Sequence, residues 1–219
     1  MRLADMATCS RVFLAVLAAG LVMMKWNPWV IFWIILLERS LDGFDGYFAR
    51  YEVSGGTLGY CRYVNGAVCG NAEAKKEIND YNAILNVEYP LGSKMDTSGD
   101  RAVEYIFWAL YSHLSLVPLF AFFAIIIRHS FVDLLTDGEG TACSTTSRFV
   151  KAIYKSKIVS FILNVFKVFG FSYLAFVYIR GWPSWIGSVL IGGLLGCILL
   201  RGVAVVYAHA LSKPRMSRT

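Results

Sequence analysis

Six apolar runs, each about the 17 to 25 residues that a helix needs to cross a bilayer, dominate this chain and leave little choice of fold. They fall near 8–25, 27–50, 95–113, 115–134, 150–179 and 182–210. None shows the strict alternation of a barrel strand. The 219 residues are 57% hydrophobic and only 16% charged, more apolar surface than one soluble core of that size can hide. The expected fold class is therefore all-α: a polytopic membrane protein built as a bundle of six transmembrane helices. Arg2 and Arg11 around the start of the run Val12–Met24 imitate a secretory signal. No small-x-small cleavage site follows before Lys25, so the segment reads as a first membrane helix. Asn27-Pro28 opens the second run with a capping residue and a proline at the first helical position, and Pro118 and Pro183 punctuate the starts of the fourth and sixth.

Basic residues set the orientation. With the N-terminus inside, Arg2, Arg50, Arg62, Lys75, Lys76, Arg128, Arg148, Lys151, Lys155, Lys213, Arg215 and Arg218 fall in cytoplasmic segments, leaving mainly Lys25 and Arg180 outside. Both termini are then expected in the cytosol, and Trp26, Trp29, Trp182 and Trp185 gather at the outer interface. The formal charge of +6 is spread near the ends of apolar runs, which suits lipid headgroups and anionic substrates. No nucleic-acid motif is present, and no nucleic-acid partner is expected. The five cysteines, Cys9, Cys61, Cys69, Cys143 and Cys197, are scattered without Cys-x-x-Cys spacing, so neither a zinc site nor a disulfide is expected. The segment 51–91 is the one clearly soluble piece, glycine-bearing in its first half and helix-compatible over 71–84. At 41 residues it is far longer than an ordinary helix connection of roughly 2 to 8, and it reads as a cytoplasmic insertion.

Four aspartates interrupt the apolar runs. Asp42 and Asp45 are three apart on the second helix, with Glu38 one turn earlier on the same face, and Asp96 and Asp100 are four apart on the third. A charge at mid-bilayer costs about 2.5 to 3.5 kcal/mol on the lenient insertion scale, so four carboxylates at one membrane face ask for a cation. Gly46 and Gly92 carry no side chain at the height of the carboxylates, which lets helices or a flat ligand approach. Several hard oxygen ligands, completed by water and ligand phosphate, are what Mg²⁺ or Mn²⁺ prefers.

The pattern Asp42-Gly-Phe-Asp45-Gly46-Tyr-Phe-Ala49-Arg50, then Gly92-Ser-Lys-Met-Asp96-Thr-Ser-Gly-Asp100, resembles the signature of the CDP-alcohol phosphotransferase family. Thr8-x-x-Arg11 is similar to an N-terminal motif of that family's phosphatidylglycerophosphate synthase branch, with Asp5 standing where the branch usually has Asn. The 41 residues between Arg50 and Gly92 depart from the family's much shorter connection. The resemblance implies that residues 1–219 form a single transmembrane domain of this type. It implies transfer of a phosphatidyl group, or an archaeal ether-lipid equivalent, from a CDP-linked lipid donor to a small alcohol acceptor, releasing CMP. On that mapping Asp42, Asp45, Asp96 and Asp100 hold one or two Mg²⁺ or Mn²⁺ ions, and Asp100 is also the catalytic base. Gly46, Ala49, Arg50 and Gly92, with Thr8, accommodate the nucleotide. A homodimer is a further partner that the resemblance suggests, beside the membrane lipids.

For the acceptor, Leu116-Val117-Pro118, Arg128 and Lys151 resemble the glycerophosphate-using branch, whereas His129 stands where that branch usually has an acid. Asp100-Arg101 instead resembles inositol-type members. Arg101, Arg128, Lys151 and Lys155 are the candidate residues for an acceptor phosphate, and glycerol 3-phosphate is the preferred acceptor, with inositol phosphate, inositol or another alcohol as alternatives. Against the site reading stands an ion-pair network of the aspartates with Arg39, Arg50 and Arg101, in which the fixed glycines have no role. Glu104 can pair with Arg101 one turn away, and Lys167 either snorkels or faces the bundle. Gly192-x-x-x-Gly196 reads as a helix-packing face before a dimer contact, and Trp33 and Trp108 as lipid-facing bulk. A small cation or proton carrier is the non-enzyme alternative, but the carboxylates cluster at one face and no inverted repeat is present.

Overall fold

The computed structural model describes residues 3–53, 80, 92–136 and 157–211, with the backbone alone at 3–4, 43–53, 92–94, 135–136, 157–161 and 208–211. Among these residues the chain is all-helical, with α1 Leu3–Met23, α2 Pro28–Val53, α3 Gly92–His113, α4 Leu119–Thr136, α5 Lys157–Arg180 and α6 Ser184–Leu211. The insertion expected at 51–91 lies outside the described residues, apart from the end of α2 and Asp80.

Local chemistry explains the boundaries. The side chain of Asn27 accepts a hydrogen bond from the Trp29 N–H at 3.0 Å, and Pro28 takes the first helical position, where its missing N–H leaves no bond unmade. Pro118 and Pro183 each precede the first residue of a helix, α4 and α6. Three helices close on a left-handed residue: Lys25 (φ 53°) after α1, Ser115 (φ 57°) after α3 and Gly181 (φ 67°) after α5. At the first two, paired bonds from Trp26 N to Leu21 O and Lys25 N to Val22 O, and from Leu116 N to Tyr111 O and Ser115 N to Ser112 O, satisfy carbonyls that the helix leaves open.

Asp5–Met23, Ile162–Arg180 and Ser184–Tyr207 are each long and apolar enough to cross a membrane. Their outward faces are greasy, with Phe13, Val16, Phe169, Val189, Leu200 and Val203 exposed. A water-soluble helix puts its polar stripe there, so this surface matches lipid. A membrane-associated protein follows from those three helices.

The chain divides into two compact units, Met1–Leu17 with Leu36–Val103, and Ala18–Ile35 with Glu104–Thr219. In the first, Ala7, Thr8, Arg11 and Ala15 form a buried stripe at helical spacing on α1. Gly99 on α3 lies against Thr8 so closely that a Cβ there would overlap the threonine methyl. In the second, Phe171 of α5 stacks on Phe107 and Tyr111 of α3 with ring centroids 5.1 and 6.1 Å apart, and the Tyr111 hydroxyl donates to the Phe171 carbonyl at 2.6 Å. Trp108 is fully buried edge-on to Phe171, so it is core and not the lipid-facing bulk its composition suggested. Trp33 is exposed, as expected of lipid-facing bulk. Trp29 and Trp182 both pack on Phe176, at 4.9 and 4.6 Å.

Candidate active site

The candidate site lies wholly in the first unit, where α1, α2 and α3 each supply charged side chains. Asp42 comes from α2, Asp96 and Asp100 from successive turns of α3, and one carboxylate oxygen of each lies within 4.8 Å of the others. An octahedral Mg²⁺ with bonds of about 2.0 to 2.1 Å spans roughly 4.2 Å between opposite ligands. The three oxygens therefore need only a small rotamer closure to share one hard cation. Their side chains are 20, 49 and 37% exposed, so water or a ligand phosphate has room to complete the shell. The donor set fits Mg²⁺ or Mn²⁺ by its chemistry.

Buried Arg11 reaches into this cluster. Its Nη2 donates to Asp42 Oδ1 at 2.6 Å and to Asp100 Oδ1, its Nη1 lies 3.4 Å from Asp96 Oδ1, and its Nε 3.5 Å from Glu38 Oε1. Glu38 is itself buried and accepts from Arg39 Nε at 2.8 Å, while Arg39 Nη1 stands 4.0 Å from Asp100. An ion-pair network is thus present, centred on Arg11, with Arg39 among its members as expected and the Arg50 side chain outside the described residues. Among the described residues Arg11 and Arg39 meet Glu38, Asp42, Asp96 and Asp100, and the part-exposed aspartates are the hard oxygen donors that a divalent ion prefers.

Asp45, Gly46, Ala49, Arg50 and Gly92 occupy helical positions on α2 and α3, and their side-chain environments lie outside the described residues. Thr8, expected at the nucleotide, is buried against Gly99 on α3. An open groove of about 510 Å³, lined by Thr8, Cys9, Val12, Met95 and Ser98, runs beside that contact.

The acceptor candidates are only partly brought into view. Arg101 is half-buried on α3 in the first unit and Arg128 belongs to the second, while Lys151 and Lys155 lie outside the described residues. Arg128 packs along α6 at Gly202, where a Cβ would come within 2.8 Å of the arginine Cγ. Glu104 takes Lys167 and His129 as partners, Nζ on Oε1 and Nε2 at 2.8 Å from Oε2, in place of an intrahelical pair with Arg101. Lys167 accordingly faces protein. Sequence reasoning missed Arg11 as a site residue, although a lone arginine one turn after Thr8 inside an apolar run was the available signal.

No curated protein and no solved structure matches the chain significantly. A family model described as CDP-alcohol phosphatidyltransferase matches residues 1–59, the stretch that carries Arg11, Asp42, Asp45, Gly46, Ala49 and Arg50. Over that stretch, about a quarter of the chain, the protein is similar to the CDP-alcohol phosphatidyltransferase family.

Proposed function

We propose that the protein transfers a phosphatidyl group, or its ether-lipid counterpart, from a CDP-linked lipid to a small alcohol with release of CMP, as a step of phospholipid biosynthesis. The observation that carries this is the convergence of Asp42, Asp96 and Asp100 from two helices on a single cluster, with one carboxylate oxygen of each within 4.8 Å of the others. The family match over the first motif supports the same class of reaction. When bound among these carboxylates, with Asp45 as a fourth, Mg²⁺ or Mn²⁺ supplies neutralisation of the pyrophosphate and of the departing CMP. Asp100 accepts the proton of the acceptor hydroxyl, and Arg11 and Glu38 hold Asp100 and Asp42 in place meanwhile. Gly46, Ala49, Arg50 and Gly92 give the nucleotide its space. Glycerol 3-phosphate is the preferred acceptor, with Arg101, Arg128, Lys151 and Lys155 as the cations for its phosphate. The protein is read as multi-pass with both termini cytoplasmic, and the 51–91 segment as a soluble insertion. Among the described residues an added Cβ at Gly192 or Gly196 meets nothing within 4 Å, and that open face supports a homodimer contact.

The test is direct. Purified protein with Mg²⁺ or Mn²⁺, CDP-diacylglycerol or CDP-archaeol, and glycerol 3-phosphate is expected to release CMP. Asp100→Asn is expected to lower release at least about 100-fold, the lower range for a general base. Full activity in that variant removes Asp100 as the base. Replacing glycerol 3-phosphate by inositol phosphate, inositol or serine decides the acceptor.

A further inference from the structure

Within the unit formed by Ala18–Ile35 and Glu104–Thr219, ring contacts join the turn after α1 to the turn after α5. Trp29, two residues past the first turn, packs edge-on to Phe176 at 4.9 Å, and Phe176 stacks on Trp182 of the second turn at 4.6 Å. Lys25 Nζ lies 5.2 Å from the centroid of the Tyr178 ring, on the last turn of α5. The Tyr173 hydroxyl donates to the Pro183 carbonyl at 3.1 Å, which ties the second turn back to its own helix. Of the three membrane-length apolar spans, those of α1 and α5 end at Met23 and Arg180, and that of α6 begins at Ser184. A bilayer crossed by these helices therefore gives way to headgroups at the two turns. Trp26, Trp29, Trp182 and Trp185 are all exposed there.

Lys25 and Arg180 are exposed at this end, and among the described residues neither meets a carboxylate. Lys25 also sits in the left-handed region, φ 53°, where glycine is the usual residue; its counterpart after α5 is Gly181, φ 67°. The bonds from Lys25 N and Trp26 N back to α1 would form equally well with glycine at 25. A side chain in this backbone region costs more than an exposed cation–π contact returns, so neither the turn nor the Tyr178 ring accounts for a lysine. Strain kept at such a position points to a use for the charge. We propose that the two turns form a docking surface for an anionic phospholipid, with Lys25 and Arg180 serving its phosphate and the exposed tryptophans lying against its glycerol and upper chains. An indole suits that depth, having an apolar body and a single N–H donor. Val30 and Val189, exposed within two turns of the starts of α2 and α6, give the hydrocarbon a surface that free phosphate could not use. The inference is independent of the transfer reaction, whose carboxylates belong to the other unit.

Purified full-length protein in a neutral maltoside detergent, titrated with short-chain phosphatidylglycerol, is expected to gain thermal stability saturably, and more than with phosphatidylcholine of the same chains. Lys25→Gly and Arg180→Gln are each expected to weaken the apparent Kd for phosphatidylglycerol about fivefold, the effect of one basic residue at an anionic surface. Lys25→Arg, which keeps the charge, binds like the native protein. Because Lys25→Gly relieves the backbone, its unfolding temperature without lipid is expected to stay at or above the native value. A lower value there, together with an unchanged lipid shift, makes Lys25 a purely structural lock and overturns the proposal. An unchanged Kd in both variants, or equal gains from the two lipids, overturns it as well. Inorganic phosphate at the same concentrations separates the two sources of the anion, and a gain equal to that from phosphatidylglycerol overturns the lipid assignment. Should one variant fail to fold, native mass spectra of the other decide by the phosphatidylglycerol retained: less than the native protein holds is expected, and an equal amount overturns the inference.

Discussion

Arg11 brings a buried positive charge into contact with four carboxylates, and the geometry makes it a competitor for any cation those groups bind. Its bonds to Asp42 and Asp100 use oxygens that a metal would also use. Arg11→Gln removes the charge and leaves the acids facing one another, which is expected to lower stability by about 3 kcal/mol, the lower end for breaking a buried pair given the partial exposure of the aspartates. Adding Mg²⁺ or Mn²⁺ is then expected to raise the unfolding temperature of Arg11→Gln more than that of the native protein. Equal shifts in the two would mean that arginine and metal do not share ligands. The aspartates themselves were legible in the sequence, because spacings of three and four put Asp42 with Asp45, and Asp96 with Asp100, on common helix faces. The contacts of Arg11 with Asp96 and Asp100 were not, since they span 85 and 89 residues, although an arginine inside an apolar run marks the position itself. Glu104 failed for the related reason that a buried carboxylate needs desolvated partners, and Lys167, 63 residues away, outcompetes an Arg101 on the same helix.

Helix starts could be read from Asn27, Pro28, Pro118 and Pro183, because capping and proline chemistry is local. Two of the three left-handed ends could not, since Lys25 and Ser115 stand where glycine is the usual signal. Which face each helix buries was also hidden: the later part of α3 is apolar nearly all round, so periodicity cannot say that Trp108 turns inward. The Gly192-x-x-x-Gly196 face shows the same ambiguity from the other side, as no described residue packs on it within 4 Å of an added Cβ. The tightest small-residue contact between helices among the described residues is at Gly99, between two motif aspartates. Gly99→Ala is expected to push α3 away from α1 and to cost about 1 to 3 kcal/mol by overpacking. Thr8→Ala, which removes the methyl it strikes, should return most of that stability in the double variant. Thermal unfolding of the three variants checks this, and an additive double variant would show that Thr8 and Gly99 do not constrain each other.

At the scale of the molecule, lipid is the solvent that reconciles a greasy exterior with a charged interior. Of the six helices among the described residues, α1, α5 and α6 satisfy the length and hydropathy of a membrane span outright. The charges that build the candidate site, Glu38, Arg39 and Asp42 on α2 and Asp96, Asp100 and Arg101 on α3, interrupt the apolar runs of those two helices. A crossing by α2 or α3 is therefore energetically sound only if these groups face protein or lie near one membrane surface, where their solvation penalty is smallest. The orientation proposed from the basic residues, with the N-terminus inside, would meet the second condition by placing these groups near the inner surface. It has a consequence that labelling can read. In a cysteine-free background, single cysteines at Met24 and Leu119, both exposed and each at or next to a turn, should react with a membrane-impermeant maleimide in intact cells, because the proposed orientation puts both turns on the outer side. A cysteine at Thr219 should react only after permeabilisation. If Met24→Cys and Leu119→Cys were labelled from opposite sides, α2 and α3 would not both cross, and their carboxylates would have to be solvated by water and not by one another.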